Sequence, residues 1–321
     1  MRLGLLSTAN INQQILAGAR ASDRVEVAAV ASRDEMRAQA YALEHAIPRP
    51  HGSYEELLAD GGVDAVYISL PNGLHHEWTM RALEAGKHVL CEKPYSRRAA
   101  EVEEAFDAAD RAGLVLMEAF MYRHHPQTRR VAELVAEGAI GRLRFIRTAF
   151  SFALTDDTNV RALPELDGGA LMDVGCYCVS GARLLAGEPS AIFGVQVLGP
   201  TGVDVAFNGT FEHADDVIAQ FDCSFRLPQR QRLEAYGEEG TLVVEAPWRV
   251  DWGGDVVLLR GDAPEKVEVE EANSYQLELE NLADAIAGNA DPLLGREDAL
   301  GQARAIESLY DSAAERHTVS L

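Results

Sequence analysis

Val89-Leu90-Cys91-Glu92-Lys93-Pro94 is the stretch on which the fold turns. The apolar run Val89 to Cys91 reads as the end of a buried strand. It delivers an acid, a cation and a proline to the strand's carboxyl end, the edge where open α/β sheets bind ligands. Pro94 pushes Lys93 out of the helical region, so the ammonium projects from a stiff turn. A surface strand end with two solvated charges explains the same six residues, and the surroundings decide between the two.

Upstream, residues 2–6, 25–31 and 65–70 read as strands. Residues 13–21, a segment ending at Glu44, and 74–86 read as helices, with a short strand or turn at 51–54 and a short helix at 55–60. Downstream come a helix at 97–113 and a strand at 114–118. Strands alternating with helices at these lengths mean a parallel sheet. The pattern changes after a helix at 126–137. Residues 143–152 alternate as a half-exposed strand, 156–167 form a polar loop, and Gly168-Gly169 opens a helix to about Ala186. Strands at 192–198, 203–212, 217–226, 231–237, 241–244, 256–259 and 267–269 follow without helices between them, which predicts an antiparallel sheet. Helices at 275–288 and 297–316 close the chain. The expected fold is an α/β domain over residues 1–122 and an α+β domain with an open, mostly antiparallel sheet over 123–321.

The 321 residues carry a net charge of -22, which repels nucleic acid and anionic membranes. An anionic cofactor would therefore need local basic residues. Cys91, Cys176, Cys178 and Cys223 form neither a disulfide framework nor a zinc spacing, so buried free thiols in a reducing compartment are expected. No apolar run is long enough to span a bilayer. The first residues run straight into a strand without a leader pattern, and the expected location is cytoplasmic. His75-His76 and His124-His125 invite a metal reading. Adjacent histidines diverge on regular elements and no carboxylate or cysteine sits at ligand spacing, so no metal is expected.

The first strand-turn-helix is where a dinucleotide fingerprint belongs, and Ser7 and Ala9 occupy the slots of its first two glycines. Small side chains still let a pyrophosphate approach the helix N-terminus; taken alone, the segment reads more simply as an ordinary capped turn. After the second strand, Ser32 and Arg33 suit a 2′-phosphate and favour NADP over NAD, although Asp34 can turn inward instead. Asn72, after Pro71, can cap the next helix or face a cofactor. Asp173 and Tyr177, four apart, share one face of a helix. A capping aspartate and a buried aromatic would account for that spacing too.

Together, Glu92-Lys93-Pro94, the run Glu118-Ala119-Phe120-Met121-Tyr122-Arg123-His124-His125-Pro126 and the run from Gly168 to Tyr177 resemble the glucose–fructose oxidoreductase and inositol dehydrogenase family, Gfo/Idh/MocA. Order, spacing and length agree over nearly the whole chain. Tyr177, where many relatives carry histidine, with Asn159 and Arg161, resembles the branch of NADP-linked D-xylose 1-dehydrogenases and dimeric dihydrodiol dehydrogenases. The chain departs from the family in its Ser-Thr-Ala fingerprint, in a glycine pair where a triplet is common, and in His124, where phenylalanine is frequent.

The resemblance implies a Rossmann first domain and a homodimer or higher oligomer formed through the second domain's sheet. It implies NADP as cofactor, with NAD possible, bound by Ser7, Thr8, Ala9, Asn10, Ile11, Ser32, Arg33, Leu70, Pro71, Asn72, His75, Glu92 and Lys93. A carbohydrate-type substrate would meet Arg123, Asn159 and Arg161. Oxidising an alcohol removes a hydride and a proton, and Tyr177 is the candidate for the proton. A free phenol titrates near pH 10, and a neighbouring ammonium lowers that value, the task implied for Lys93. Asp173 would hold substrate or position Lys93. The same relay run backwards would reduce a ketosugar or serve a cyclic trans-diol. A non-catalytic NADP sensor would need Ser32 and Arg33 but not Lys93 and Tyr177 together.

Overall fold

The computed structural model describes residues 1–261 and 263–321 and divides into two compact units. In the first 124 residues strands and helices alternate: β1 (Arg2–Leu5), α1 (Asn12–Arg20), β2 (Glu26–Ala31), α2 (Glu35–His45), β3 (Arg49–His51), α3 (Tyr54–Ala59), β4 (Ala65–Ile68), α4 (His75–Glu84), β5 (His88–Glu92), α5 (Ala99–Ala112) and β6 (Leu116–Ala119). The six strands pair in the order β3-β2-β1-β4-β5-β6, all parallel. This is a doubly wound dinucleotide-binding sheet whose order reverses between β1 and β4. Strands covered on both faces read as continuous apolar runs, and β4 is buried at all four positions.

The second unit begins with α6 (Pro126–Ala136). It continues through β7 (Leu143–Ser151), α7 (Cys176–Ala186), β8 (Ala191–Leu198), β9 (Asp204–Glu212), β10 (Ile218–Ser224), β11 (Arg230–Gly237), β12 (Thr241–Val244), β13 (Val256–Arg260) and β14 (Ala263–Lys266). These strands, with the terminal β15 (Val319–Ser320), form a nine-stranded sheet in the order β14-β13-β12-β11-β7-β10-β9-β8-β15. Every pairing is antiparallel except β7 with β10.

Four expectations need correction. The chain returns: α8 (Ser274–Ala287) belongs to the first unit, which comprises Met1–His124 and Asn273–Leu300. The second unit is His125–Ala272 with Gly301–Leu321, so α9 (Arg296–Glu315) begins in one unit and continues in the other. The physical reason is a close helix crossing: a Cβ on Gly18 of α1 would lie 2.8 Å from the Gln276 backbone nitrogen, so only glycine admits α8 there. Strand β7 is half-exposed only over its first part, where Arg147 is exposed, and its last four residues are buried. The strand expected at 267–269 falls instead at Ala263–Lys266, paired with β13. The helix expected from Gly168 begins as a wide π turn, Leu171–Gly175, before α7.

Candidate active site

Because all strands of the first unit's sheet are parallel, the segments after β1, β2, β4 and β5 gather at its carboxyl edge, beside the reversal of strand order. After β1, the Ser7 Oγ lies 2.7 Å from the Ser69 Oγ and accepts the Ala9 N–H at 3.1 Å. The buried Asn12 donates from Nδ2 to the Ser7 carbonyl at 2.7 Å. Where a glycine fingerprint supplies only space, hydroxyls here tie the loop to the end of β4. Thr8, Ala9 and Ile11 are half-buried and Asn10 is exposed.

After β2, the buried Ser32 donates its N–H to the His51 carbonyl at 3.1 Å. Asp34 is the N-cap of α2 and accepts the Arg37 N–H at 3.1 Å. Such a cap contributes about 1 kcal/mol. One oxygen of the Asp34 carboxylate is thereby engaged by its own helix. Arg33 and Arg37 are exposed, and both act electrostatically on the Tyr54 hydroxyl; burial raises that phenol's pKa while the two arginines pull it down. Arg37 was not singled out from sequence, although an aspartate cap three residues ahead of it marks its place in the first turn.

After β4, Leu70 is buried and Pro71 and Asn72 are half-buried. Asn72 does not cap α4, whose N-cap is Leu74; it starts a short 3-10 turn, Asn72–Leu74. His75 is 1% exposed, with Nδ1 3.0 Å from the Pro94 carbonyl and Nε2 2.9 Å from the Leu70 carbonyl. Its ring braces the turn after β4 against the turn after β5. Burial pushes its pKa down, and a neutral imidazole has one N–H for the two carbonyls.

The turn after β5 is held at several points. The Tyr67 hydroxyl donates to Glu92 Oε1, and Glu92 Oε2 accepts the Lys93 N–H at 3.3 Å. The Lys93–Pro94 peptide is cis, and the Tyr95 N–H donates to the buried Glu118 at 2.7 Å. Lys93 is half-buried. Tyr67 and Glu278 escaped the sequence reading, and Glu118 entered it only as part of the run that carries the family resemblance. A tyrosine in the buried strand Ala65–Ile68 was a signal, since a buried phenol seeks a partner for its hydroxyl. So was a glutamate in the buried stripe Tyr275, Glu278, Leu279, Leu282 of α8. Arg123 also belongs to the first unit, where its Nη1 is 3.1 Å from Asp298 Oδ1 and its side chain is 11% exposed.

In the second unit, the Asn159 side chain accepts the Arg161 N–H at 3.1 Å and caps the 3-10 turn Val160–Ala162. Arg161 Nε donates to Asp173 Oδ2 at 2.8 Å. Asp173 stands in the π turn, a wide turn frequently found at functional sites. Tyr177 follows in the first turn of α7, its ring 5.5 Å from Phe150 and 6.1 Å from Trp248. Trp248 is itself fixed by its indole N–H on the Ala149 carbonyl at 3.1 Å. The unit thus gathers Asn159, Arg161 and Asp173, and mounts a phenol on a rigid helix against an aromatic wall.

Of the paired histidines, His75, His76 and His125 serve the backbone and a neighbouring side chain. His125 accepts the Gln127 N–H at 3.0 Å as N-cap of α6, and His76 Nδ1 lies 3.1 Å from the Tyr95 hydroxyl. Among the described residues no group of three His, Cys, Asp or Glu is placed to hold a metal ion, and no helix is long and apolar enough to cross a membrane.

Residues 1–120 match the model of an oxidoreductase family with an NAD-binding Rossmann fold, and residues 128–243 match that of the GFO/IDH/MocA C-terminal domain. The chain is 40% identical to D-xylose 1-dehydrogenase (NADP(+)) 2 of Haloferax volcanii, over 100% of both chains. It is 36% identical to trans-1,2-dihydrobenzene-1,2-diol dehydrogenase of Xenopus laevis, over 80% of this chain and 78% of that one. Among solved structures, a 3-ketoreductase from Actinomadura kijaniata in complex with NADP and TDP-benzene superposes with a TM-score of 0.92 at 30% identity, covering 97% of each chain. Two matching domain models and full-length relatives of this kind leave one assignment: the chain belongs to the GFO/IDH/MocA family of oxidoreductases.

Proposed function

We propose that this chain is an NADP-dependent dehydrogenase that oxidises a sugar-type hydroxyl, at C1 of D-xylose or a similar aldose. The observation that carries the reading is its full-length relation to a named D-xylose 1-dehydrogenase (NADP(+)). The donor set fits the cofactor. Ser32, Arg33 and Arg37 offer a hydroxyl and two guanidiniums to a 2′-phosphate, against the single carboxylate of Asp34, which caps α2. The loop Ser7, Thr8, Ala9, Asn10 and Ile11 receives the pyrophosphate ahead of α1, whose positive end favours an anion. Leu70, Pro71 and Asn72 flank the cofactor, with His75 bracing their turn, and Glu92 takes the nicotinamide ribose.

NADP, when bound, supplies the hydride acceptor. The remaining work is the chain's own. Tyr177 takes the proton of the substrate hydroxyl as general base. The Lys93 ammonium favours the phenolate and orients the hydroxyl. Asp173, held by Arg161, orients the sugar, and Arg123 and Asn159 contribute on the sugar side. The loss of one hydride and one proton turns the hydroxyl-bearing carbon into a carbonyl. The same relay in reverse is a reductase, a reading favoured by the fold shared with a 3-ketoreductase.

Phe193, Val195 and Val197 are exposed on one face of β8, and Ile218 is exposed on β10. A second copy of the chain covering that face of the sheet would remove this surface from water, so the functional form is a homodimer. Four buried, free cysteines suit a reducing compartment, and we place the enzyme in the cytoplasm.

The test is absorbance of reduced nicotinamide across a panel of aldoses with NADP+ or NAD+. The expected result is growth with D-xylose or a close relative and NADP+. Binding of NADP+ without a redox change on any sugar would contradict the reading and favour a sensor.

A further inference from the structure

We propose that Asp204 is a positioning residue for the reaction, clamping the wide turn that carries Asp173 and leads into Tyr177. The inference rests on the function proposed above. The π turn Leu171–Gly175 opens a helix, so its first N–H groups lack partners within that helix. Asp204, 2% exposed at the start of β9, fills the gap: its Oδ2 accepts the Leu171 N–H at 2.7 Å. Its other oxygen, Oδ1, accepts the Tyr310 hydroxyl at 2.8 Å. A buried carboxylate beside a helix N-terminus is favoured by the helix dipole as well as by the bonds.

Gly169 makes room for this arrangement. Its φ is +130°, and a Cβ there would lie 2.1 Å from Asp204 Oδ1. The close approach explains why the second residue of the pair Gly168-Gly169 carries no side chain. The far end of the wide turn is held from the same helix as the near end. The Cys176 carbonyl accepts Gln302 Nε2 at 2.8 Å, and Gln302 Oε1 accepts Arg183 Nη1 at 3.0 Å. Tyr310 and Gln302 both lie on α9, so one helix and one carboxylate bracket the segment from Leu171 to Cys176. Between the two fastenings stands Asp173, paired with Arg161. Without the clamp, the wide turn is free to relax toward a regular helix, turning Asp173 relative to both Arg161 and Tyr177.

The test compares Asp204→Ala, Asp204→Asn, Tyr310→Phe and Tyr177→Phe for kcat, KM, pH–rate profile and NADP+ affinity. Asp204→Ala is expected to lower kcat about ten- to hundredfold, the cost of a misplacement of about 1 Å, with NADP+ affinity unchanged. Asp204→Asn should restore most of that loss, because the amide oxygen still accepts the Leu171 N–H. Tyr310→Phe removes one hydrogen bond and keeps the ring against Phe207, so it remains informative should the alanine variant fail to fold. It is expected to lower kcat and move the alkaline limb of the pH profile. Wild-type kcat and pH profile in Tyr310→Phe, or wild-type kcat in folded Asp204→Ala, would overturn the clamp. An active Tyr177→Phe would overturn the proton transfer proposed for Tyr177 instead, and no sugar oxidation by the wild type would overturn the proposed function; an inactive Tyr177→Phe beside fully active Asp204 variants would remove the clamp alone.

Discussion

The Tyr67 hydroxyl donates to Glu92 from the neighbouring strand, so a phenol wholly inside the first unit's sheet aims the carboxylate that precedes Lys93. Burial, followed by the charge of Glu92, raises the Tyr67 pKa well above 10, which keeps the phenol a donor. Tyr67→Phe leaves Glu92 without that donor. The expected loss is about 1.5–3 kcal/mol, the range for a hydrogen bond to a charged group. Urea unfolding measures it; an unchanged midpoint would mean that the bond contributes nothing.

Glu278 gives a pH-dependent prediction. Burial, and then the charge of Glu92, raises its carboxyl pKa well above 4.5. The folded state therefore holds this proton more tightly than the unfolded chain. Stability from this group is complete below the unfolded value and is lost as pH rises through the folded one. Glu278→Gln removes that loss, so the variant should melt higher than wild type at about pH 8 and show no such gain at about pH 4. A gain of equal size at both values would contradict the assignment.

Much of the first unit was legible because its chemistry is local. Apolar runs closed by Ser32-Arg33, Pro71-Asn72 and Glu92-Lys93 mark strand ends whatever surrounds them. The return of α8 to that unit was not legible, since it depends on the absence of a side chain at Gly18, far away in sequence. The π turn was equally hidden: its anchors, Asp204 and Gln302, come from a strand and a helix that no local pattern links to Asp173. For Asp34 the sequence left an inward turn open, and the Arg37 N–H that one of its oxygens accepts was not legible there.

Arg33→Ala should weaken NADP+ binding about tenfold or more, the worth of one charge-assisted contact, and leave NAD+ binding unchanged. Arg37→Ala should act in the same direction, because Arg37 stands exposed in the first turn of α2, just after Arg33. Titration with each cofactor measures this. Equal losses for the two cofactors would place the 2′-phosphate elsewhere.

Val195 is 53% exposed in the middle of β8. Val195→Asp sets a charge into the face proposed to meet a second copy, and desolvating it there is costly. Light scattering should then report half the mass of the wild-type particle, with the far-UV circular dichroism of the folded chain unchanged. Equal masses for the two proteins would exclude this face as the interface.

The most direct test is the turnover of Tyr177→Phe and Lys93→Ala with NADP+ and the best aldose of the panel, with cofactor affinity measured alongside. The account predicts that Tyr177→Phe binds NADP+ normally and loses nearly all turnover, and that Lys93→Ala also loses turnover. Near wild-type rates in both variants would contradict it.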